Sequence, residues 1–278
     1  MSAELLVKRT VTMTETNPPT VAPPFQCIFC YGSEPFTSEE HIVPHSLGND
    51  LLVLAPGWVC EECNNTCSGF ESRALNSSIL GLERCRLGVV TKKRKPARSD
   101  VHRITWFSEP DLPSNILSAE AEWGKIPMLL SPDGSSGKIV FPLHDDSCYA
   151  IARLLLKMGV EIMAPCQPSG SNAFQAASQH VLGIESDPWP YFVIRSEAVD
   201  NHLVSVLASL PEEHEYALSC GFDVFMLEVE EEVVFFFRYG NFRAGICLSS
   251  RSTDWRHVLV DWDVPHVGCP IEFSNEST

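Results

Sequence analysis

Two Cys-x-x-Cys units, Cys27/Cys30 and Cys60/Cys63, stand with twenty-nine residues between them. Each unit can set two thiolates along one edge of a metal ion, and two units close the tetrahedron that zinc takes in structural sites. A closed four-thiolate shell leaves no position for substrate, so the spacing predicts a staple of Zn²⁺ rather than a reaction centre. Cys67, one turn beyond Cys63, is the spare ligand. Between the two units runs "EEHIVPHSLGND" (residues 39–50), where His41 directly follows the carboxylate of Glu40. A histidine, with an ordinary pKa of about 6.5, exchanges protons near neutral pH, and carboxylate oxygens suit hard cations. Asn64 comes immediately after the second unit.

The elements that must place these residues are short. "TSEEHIVP" predicts a strand ending at Pro44, "SLGND" a turn, and "LLVLAPGWVC" a second strand with a Pro-Gly break. From Glu61 the spacing becomes helical, with Phe70, Leu75, Ile79 and Leu82 on roughly one face. Strand, loop, strand, helix is the order expected across residues 25–90. Adjacent strand residues point to opposite sides, so Glu40 and His41 can serve one site only where the strand ends or kinks, as Pro44 would make it.

Around this module the chain divides further. Residues 1–24, rich in Thr and Pro, read as a flexible arm, and 91–103 as a basic connector. Residues 104–278 read as an α+β domain. In it, residues 139–141 form a strand, and Asp146 caps a helix carrying Ala150, Leu154, Leu155 and Met158. A second helix lies in "SNAFQAASQHVLGI". The C-terminal part is largely an antiparallel sheet with a hairpin turn at Tyr239-Gly240-Asn241. No phosphate-cradling glycine loop names a function for this domain, which is left to choose a target or to receive a protein or ligand partner.

Composition narrows the classes. The 278 residues are 44% hydrophobic and 20% charged, as in ordinary globular proteins of one large or two modest domains. No apolar run reaches the roughly 20 residues of a bilayer-spanning helix, and the N-terminus lacks the pattern of a signal peptide, so a cytoplasmic protein with no membrane partner is expected. Eleven cysteines crowded toward residues 27–67 fit metal binding better than a disulfide framework. The scattered Cys85, Cys148, Cys166, Cys220, Cys247 and Cys269 read as small buried hydrophobes. A net charge of −16 argues against general adhesion to nucleic acid. Yet eight of the twenty Lys and Arg lie between Arg84 and Arg103, opposed only by Asp100. Within that stretch Lys92, Lys93, Arg94, Lys95 and Arg98 are read either as a phosphate-contacting strip or as a solvated linker.

The run "EHIVP", the following "SLG" and the C-x-x-C-N resemble the HNH endonucleases, in the subgroup where a four-cysteine zinc site flanks a ββα-metal fold. The HNH domain of CRISPR effector nucleases carries a similar Asp-His-Ile-Val-Pro with a later helical Asn. The match covers about residues 25–80, less than a third of the chain. It implies an α+β protein, a small zinc-stapled ββα-metal module followed by an α+β domain, that hydrolyses phosphodiester bonds of nucleic acid, DNA rather than RNA. By the same resemblance His41 is the general base, while Glu40, where the family often has Asp, and Asn64 are ligands of a catalytic Mg²⁺ or Mn²⁺. Asn49 and Asn65 are candidates for the Asn that braces the histidine loop in many members. Ser68 stands where some relatives place a histidine. His45 is read as a phosphate contact and Glu71 as a group that orients its neighbours. The competing reading is a non-catalytic zinc module that binds nucleic acid or protein.

Overall fold

The computed structural model of the chain describes residues 3–12, 22–33, 35–91, 93–101, 104–109, 117–121, 128–130, 137–139, 147–167, 171–193, 219–227, 231–240 and 242–255. Lys92, Arg103, Asp146, Asn241, Cys269 and residues 140–141, all named above, lie outside them, and Cys166, expected to be buried, is exposed.

Of its first elements, β1 (Ala3–Thr12) belongs to a sheet completed much later. Next come β2 (Glu40–His41) and β3 (Val53–Leu54), an antiparallel pair with Glu40 opposite Leu54 and His41 opposite Val53. Beyond β2, Pro44 introduces a 3-10 turn over His45–Leu47, which Gly48 closes at a φ of 85°. Only a residue without Cβ takes that left-handed conformation readily. Helix α1 (Glu61–Leu75) follows, with Glu61 and Glu62 in its first turn, where negative charge suits the positive end of the helix. Ser77 then caps α2 (Ser78–Arg86), its hydroxyl accepting from the Leu80 N–H. The helical spacing read from Glu61 onward is therefore two helices, divided where a serine side chain competes for backbone hydrogen bonds.

Strands β4 (Arg98–Val101), β5 (Ile104–Phe107) and β6 (Ser118–Ala121) form an antiparallel meander beside α2. The expected basic connector thus ends inside a sheet. A small hairpin of β7 (Met128–Leu130) and β8 (Gly137–Ile139) precedes α3 (Ser147–Met163) and α4 (Gln175–Leu182). The remaining strands are β9 (Tyr191–Val193), β10 (Ser219–Leu227), β11 (Val233–Tyr239) and β12 (Phe242–Cys247). They join β1 in an antiparallel sheet of order β1-β10-β11-β12-β9, and Gly240 turns the β11–β12 hairpin at a φ of 56°.

Residues 3–12, expected as part of a flexible arm, pair along β10 instead. The Thr and Pro content behind that expectation is concentrated in residues 13–24. Ahead of it, Leu5, Val7 and Val11 fall at the even spacing of a strand.

Among the described residues a large buried cluster runs from Cys27 and Phe29 through Phe70 of α1 and Leu154, Leu155 and Met158 of α3 to Phe235 and Ile246 of the sheet, while Val101, Ile104 and Trp106 form a small one of their own. Helix α3 is its axis, buried at Cys148 and at every position from Ala150 to Met163. Close approach of α3 to the sheet depends on Gly159, where a Cβ would lie 2.5 Å from Leu248 Cδ2 and 3.1 Å from Phe235 Cγ. Residues just after β2, and of β3 and α1, therefore share one buried cluster with α3 and the sheet. Among the described residues no helix is long and apolar enough to cross a membrane.

Candidate functional site

The four sulfur atoms of Cys27, Cys30, Cys60 and Cys63 lie within 4.8 Å of one another. Cys30 Sγ and Cys60 Sγ are 3.7 Å apart, which matches the edge of about 3.8 Å expected for a tetrahedron with zinc–sulfur bonds of about 2.3 Å. The loop after Cys27 folds back through N–H bonds from Tyr31 to the Cys27 carbonyl and from Cys27 to the Gly32 carbonyl, both 2.9 Å. The second pair spans the start of α1, where the Cys60 N–H points to Cys27 Sγ at 3.5 Å. A hydrogen bond from Cys63 holds the Cys27 thiol down at about 4 against burial, with help from backbone N–H groups. Burial pushes Cys30 up to about 11, and the bond to Cys27 raises Cys63. Such a group offers one thiolate and a set of protons to release, as metal binding to four thiolates requires. The cluster can hold a metal ion such as zinc. Cys67 lies elsewhere: it is buried, and the charged groups acting on it are Lys157, Glu161, Glu71 and Glu40.

The histidine loop is tied from inside. Asn49 is fully buried, donating to the carbonyls of Val43 (2.6 Å) and Leu52 (3.2 Å) and accepting from the N–H of Leu51 (3.1 Å) and Leu52 (2.9 Å). Both donors and the acceptor of the amide are thereby used. Asn49 is the brace, whereas Asn65 and Ser68 are exposed on α1. From α2, Arg84 adds bonds to the carbonyls of Ser46 (2.9 Å) and Leu75 (3.2 Å). His45 Nε2 meets Asp50 Oδ1 at 3.0 Å, and the His41 and His45 rings stand perpendicular with centroids 5.5 Å apart. Asn49→Ala is expected to lower stability by about 3 kcal/mol, since it strips four bonds from buried backbone groups. Asn65→Ala should stay within about 0.5 kcal/mol, as exposed positions do. Denaturant midpoints of the two variants decide it.

Alternation along β2 sends the two neighbours apart. His41 is partly exposed, while Glu40 is buried against Lys157 of α3, with Nζ 2.6 Å from Glu40 Oε1. The same ammonium lies 3.0 Å from Glu71 Oε1 and 3.1 Å from Glu161 Oε1, and it donates to the His41 carbonyl at 3.2 Å. Lys157 and Glu161 are fully buried. Burial raises Glu40 and Glu161 above the usual carboxylate range, with Lys157 pulling the other way. For Lys157 burial opposes the charge, but Glu161, Glu71 and Glu40 outweigh it and hold the ammonium protonated. Asn64, in the first turn of α1, donates from Nδ2 to Ser38 Oγ at 3.2 Å. Expected in one site, with Glu40 and Asn64 as ligands and His41 as base, the three residues have different neighbours here: Lys157 for Glu40, His45 beside His41, Ser38 for Asn64. Among the described residues, only the cysteines bring three or more His, Cys, Asp or Glu groups to metal-binding distances. Glu71, read as an orienting group, does contact Lys157. The signal for Lys157 in the sequence is a Lys and a Glu four apart, hence on one helix face, inside the apolar run "IARLLLKMGVEIM".

The basic stretch is a tight turn. Thr91 N–H bonds the Lys95 carbonyl and Arg94 N–H the Thr91 carbonyl, both at 2.8 Å, leaving Lys93, Arg94 and Lys95 exposed. Arg98 is engaged instead by Glu120, at 3.1 Å, and by the Phe107 ring, 4.4 Å from its guanidinium carbon. No protein-family model, curated protein or solved structure matches the chain.

Proposed function

We propose that the chain is a zinc-stapled endonuclease of the HNH type, which hydrolyses phosphodiester bonds of nucleic acid, DNA by the resemblance, with His41 as general base. One observation carries this reading. The elements run β2, Asn49-braced loop, β3, α1 around the four-cysteine cluster, with His41 on the first strand and Asn64 in the first helical turn.

Hydrolysis requires a water stripped of its proton and compensation of the charge that grows on the phosphate. His41 takes the proton from its partly exposed side of β2, while its backbone carbonyl accepts a hydrogen bond from Lys157. His45, steadied by Asp50, stands beside it as a phosphate contact. Zinc held by Cys27, Cys30, Cys60 and Cys63 would lock the start of α1 to the loop before β2. A catalytic Mg²⁺ or Mn²⁺ supplies Lewis-acid stabilisation when bound. Glu40 and Asn64 are the residues that would hold it, but Glu40 as placed is buried and paired with Lys157, so this pair does not fit such an ion. That misfit favours the second reading, a zinc module that binds nucleic acid or protein without cutting.

The test is incubation of purified protein with supercoiled plasmid and either Mg²⁺ or Mn²⁺. Nicked or linear product is expected, and retarded but uncut plasmid hands the chain to the second reading. Lys93, Arg94 and Lys95 are the phosphate contacts of this proposal. Replacing Lys93 and Lys95 with Gln should weaken binding regardless of sequence and flatten its log–log salt dependence by about one unit per lost contact. An unchanged salt slope would make the turn a mere connection. The α+β residues beyond 104 take the role of choosing the target or receiving a partner.

A further inference from the structure

We propose that Lys157 is the resident cation of the candidate site, standing where Glu40 would otherwise offer its carboxylate to a divalent metal ion. Its ammonium is fully buried in a shell of oxygens: Glu40 Oε1 at 2.6 Å, Glu71 Oε1 at 3.0 Å, Glu161 Oε1 at 3.1 Å and the His41 carbonyl at 3.2 Å. Carboxylates with one backbone carbonyl are the donor set that hard cations choose. The spacings are those of N–H···O bonds, longer than the roughly 2.0–2.6 Å of Mg²⁺ or Ca²⁺ contacts. A protein that burys this many carboxylates must supply a positive charge to them, and here the chain supplies it from its own helix.

The shell is assembled from β2, α1 and α3, so residues some 116 positions apart meet in it. The Lys157 side chain is wholly buried, as are Leu154, Leu155, Leu156 and Met158 beside it on α3. A divalent ion on the bonded face of Glu40 and the Lys157 ammonium are therefore mutually exclusive. Two consequences follow: α3 belongs to the candidate site, and any catalytic ion has to be held without this face of Glu40.

The inference rests on the ββα reading for the place of Glu40 and not on cleavage, so its test reads binding. Manganese is titrated into the full zinc-loaded chain and followed by electron paramagnetic resonance. In the native protein, Glu40→Gln should leave Mn²⁺ affinity unchanged. Lys157→Ala should gain about one Mn²⁺ per chain, and adding Glu40→Gln should weaken that new site by about tenfold or more. Lys157→Arg, which keeps the charge, should gain none. If Lys157→Ala does not fold alone, Mn²⁺ should restore a cooperative melting transition in proportion to its concentration. Two results would overturn the proposal: a native Mn²⁺ site lost on Glu40→Gln, or a Lys157→Ala protein that neither binds nor is stabilised by Mn²⁺. A native protein that fails to cut plasmid leaves every arm of this experiment readable.

Discussion

Cys60→Ser is expected to unfold far more than the turns around the cysteines. Zinc bound by four thiolates contributes on the order of 10–16 kcal/mol in small zinc modules, comparable to the whole stability of a typical domain at about 5–15 kcal/mol. Cys27, Cys60 and Cys63 belong to the same buried cluster as Phe70, Leu154 and Phe235. No seam in that core would confine the damage to residues 25–90. Native protein should carry about one zinc per chain by elemental analysis, and chelation or Cys60→Ser should remove both the metal and the cooperative unfolding transition. Metal entry should also release protons, since the thiols of Cys30 and Cys63, both raised above the ordinary range, must ionise to become ligands. Metal-free protein with an unchanged transition would end the staple reading.

His41→Ala should abolish nucleic-acid cleavage, a loss of about 10²–10⁴-fold if the imidazole acts as general base. The same change should be nearly silent in the fold. The bond from Lys157 goes to the His41 backbone carbonyl and survives the substitution, and the side chain is partly exposed. Zinc content, melting transition and plasmid binding should therefore match the native protein, because a base acts on the transition state and not on ground-state binding. Full cleavage by pure His41→Ala protein would refute the mechanism.

What could be read from the sequence was what local chemistry dictates. Thiol spacing that can satisfy one ion and apolar positions that repeat at helical spacing make the cysteine cluster and α3 legible, whereas β2 is legible only in place: the strand ends at His41, and Pro44 starts the turn that follows. Asn49 was half legible. Its residue type fits a brace, but only folding shows its amide enclosed by Val43, Leu51 and Leu52. Contacts between distant segments were not legible. Glu40 looked like a free carboxylate because its cation sits far downstream on another helix. Arg98 looked like part of a basic strip because Glu120 reaches it only through the register of β4, β5 and β6. β1 was lost for the same reason, its partner strand lying at the other end of the described chain.

That last pairing has a consequence for how the molecule is made. Thr12 lies opposite Ser219 and Ala3 opposite Leu227, so the edge strand is synthesised about two hundred residues before anything exists to receive it. Contacts this distant in sequence slow folding, because a long loop must close before the pairing is rewarded. On the ribosome the four thiols emerge early and can capture their ion while most of the core is still unmade. The nascent chain then carries Glu40 and Glu71 hydrated until α3 arrives with its ammonium. Ligation comes first in this order, charge neutralisation second, and closure of the sheet by its own leading strand last, leaving that strand exposed to foreign edges for the longest time.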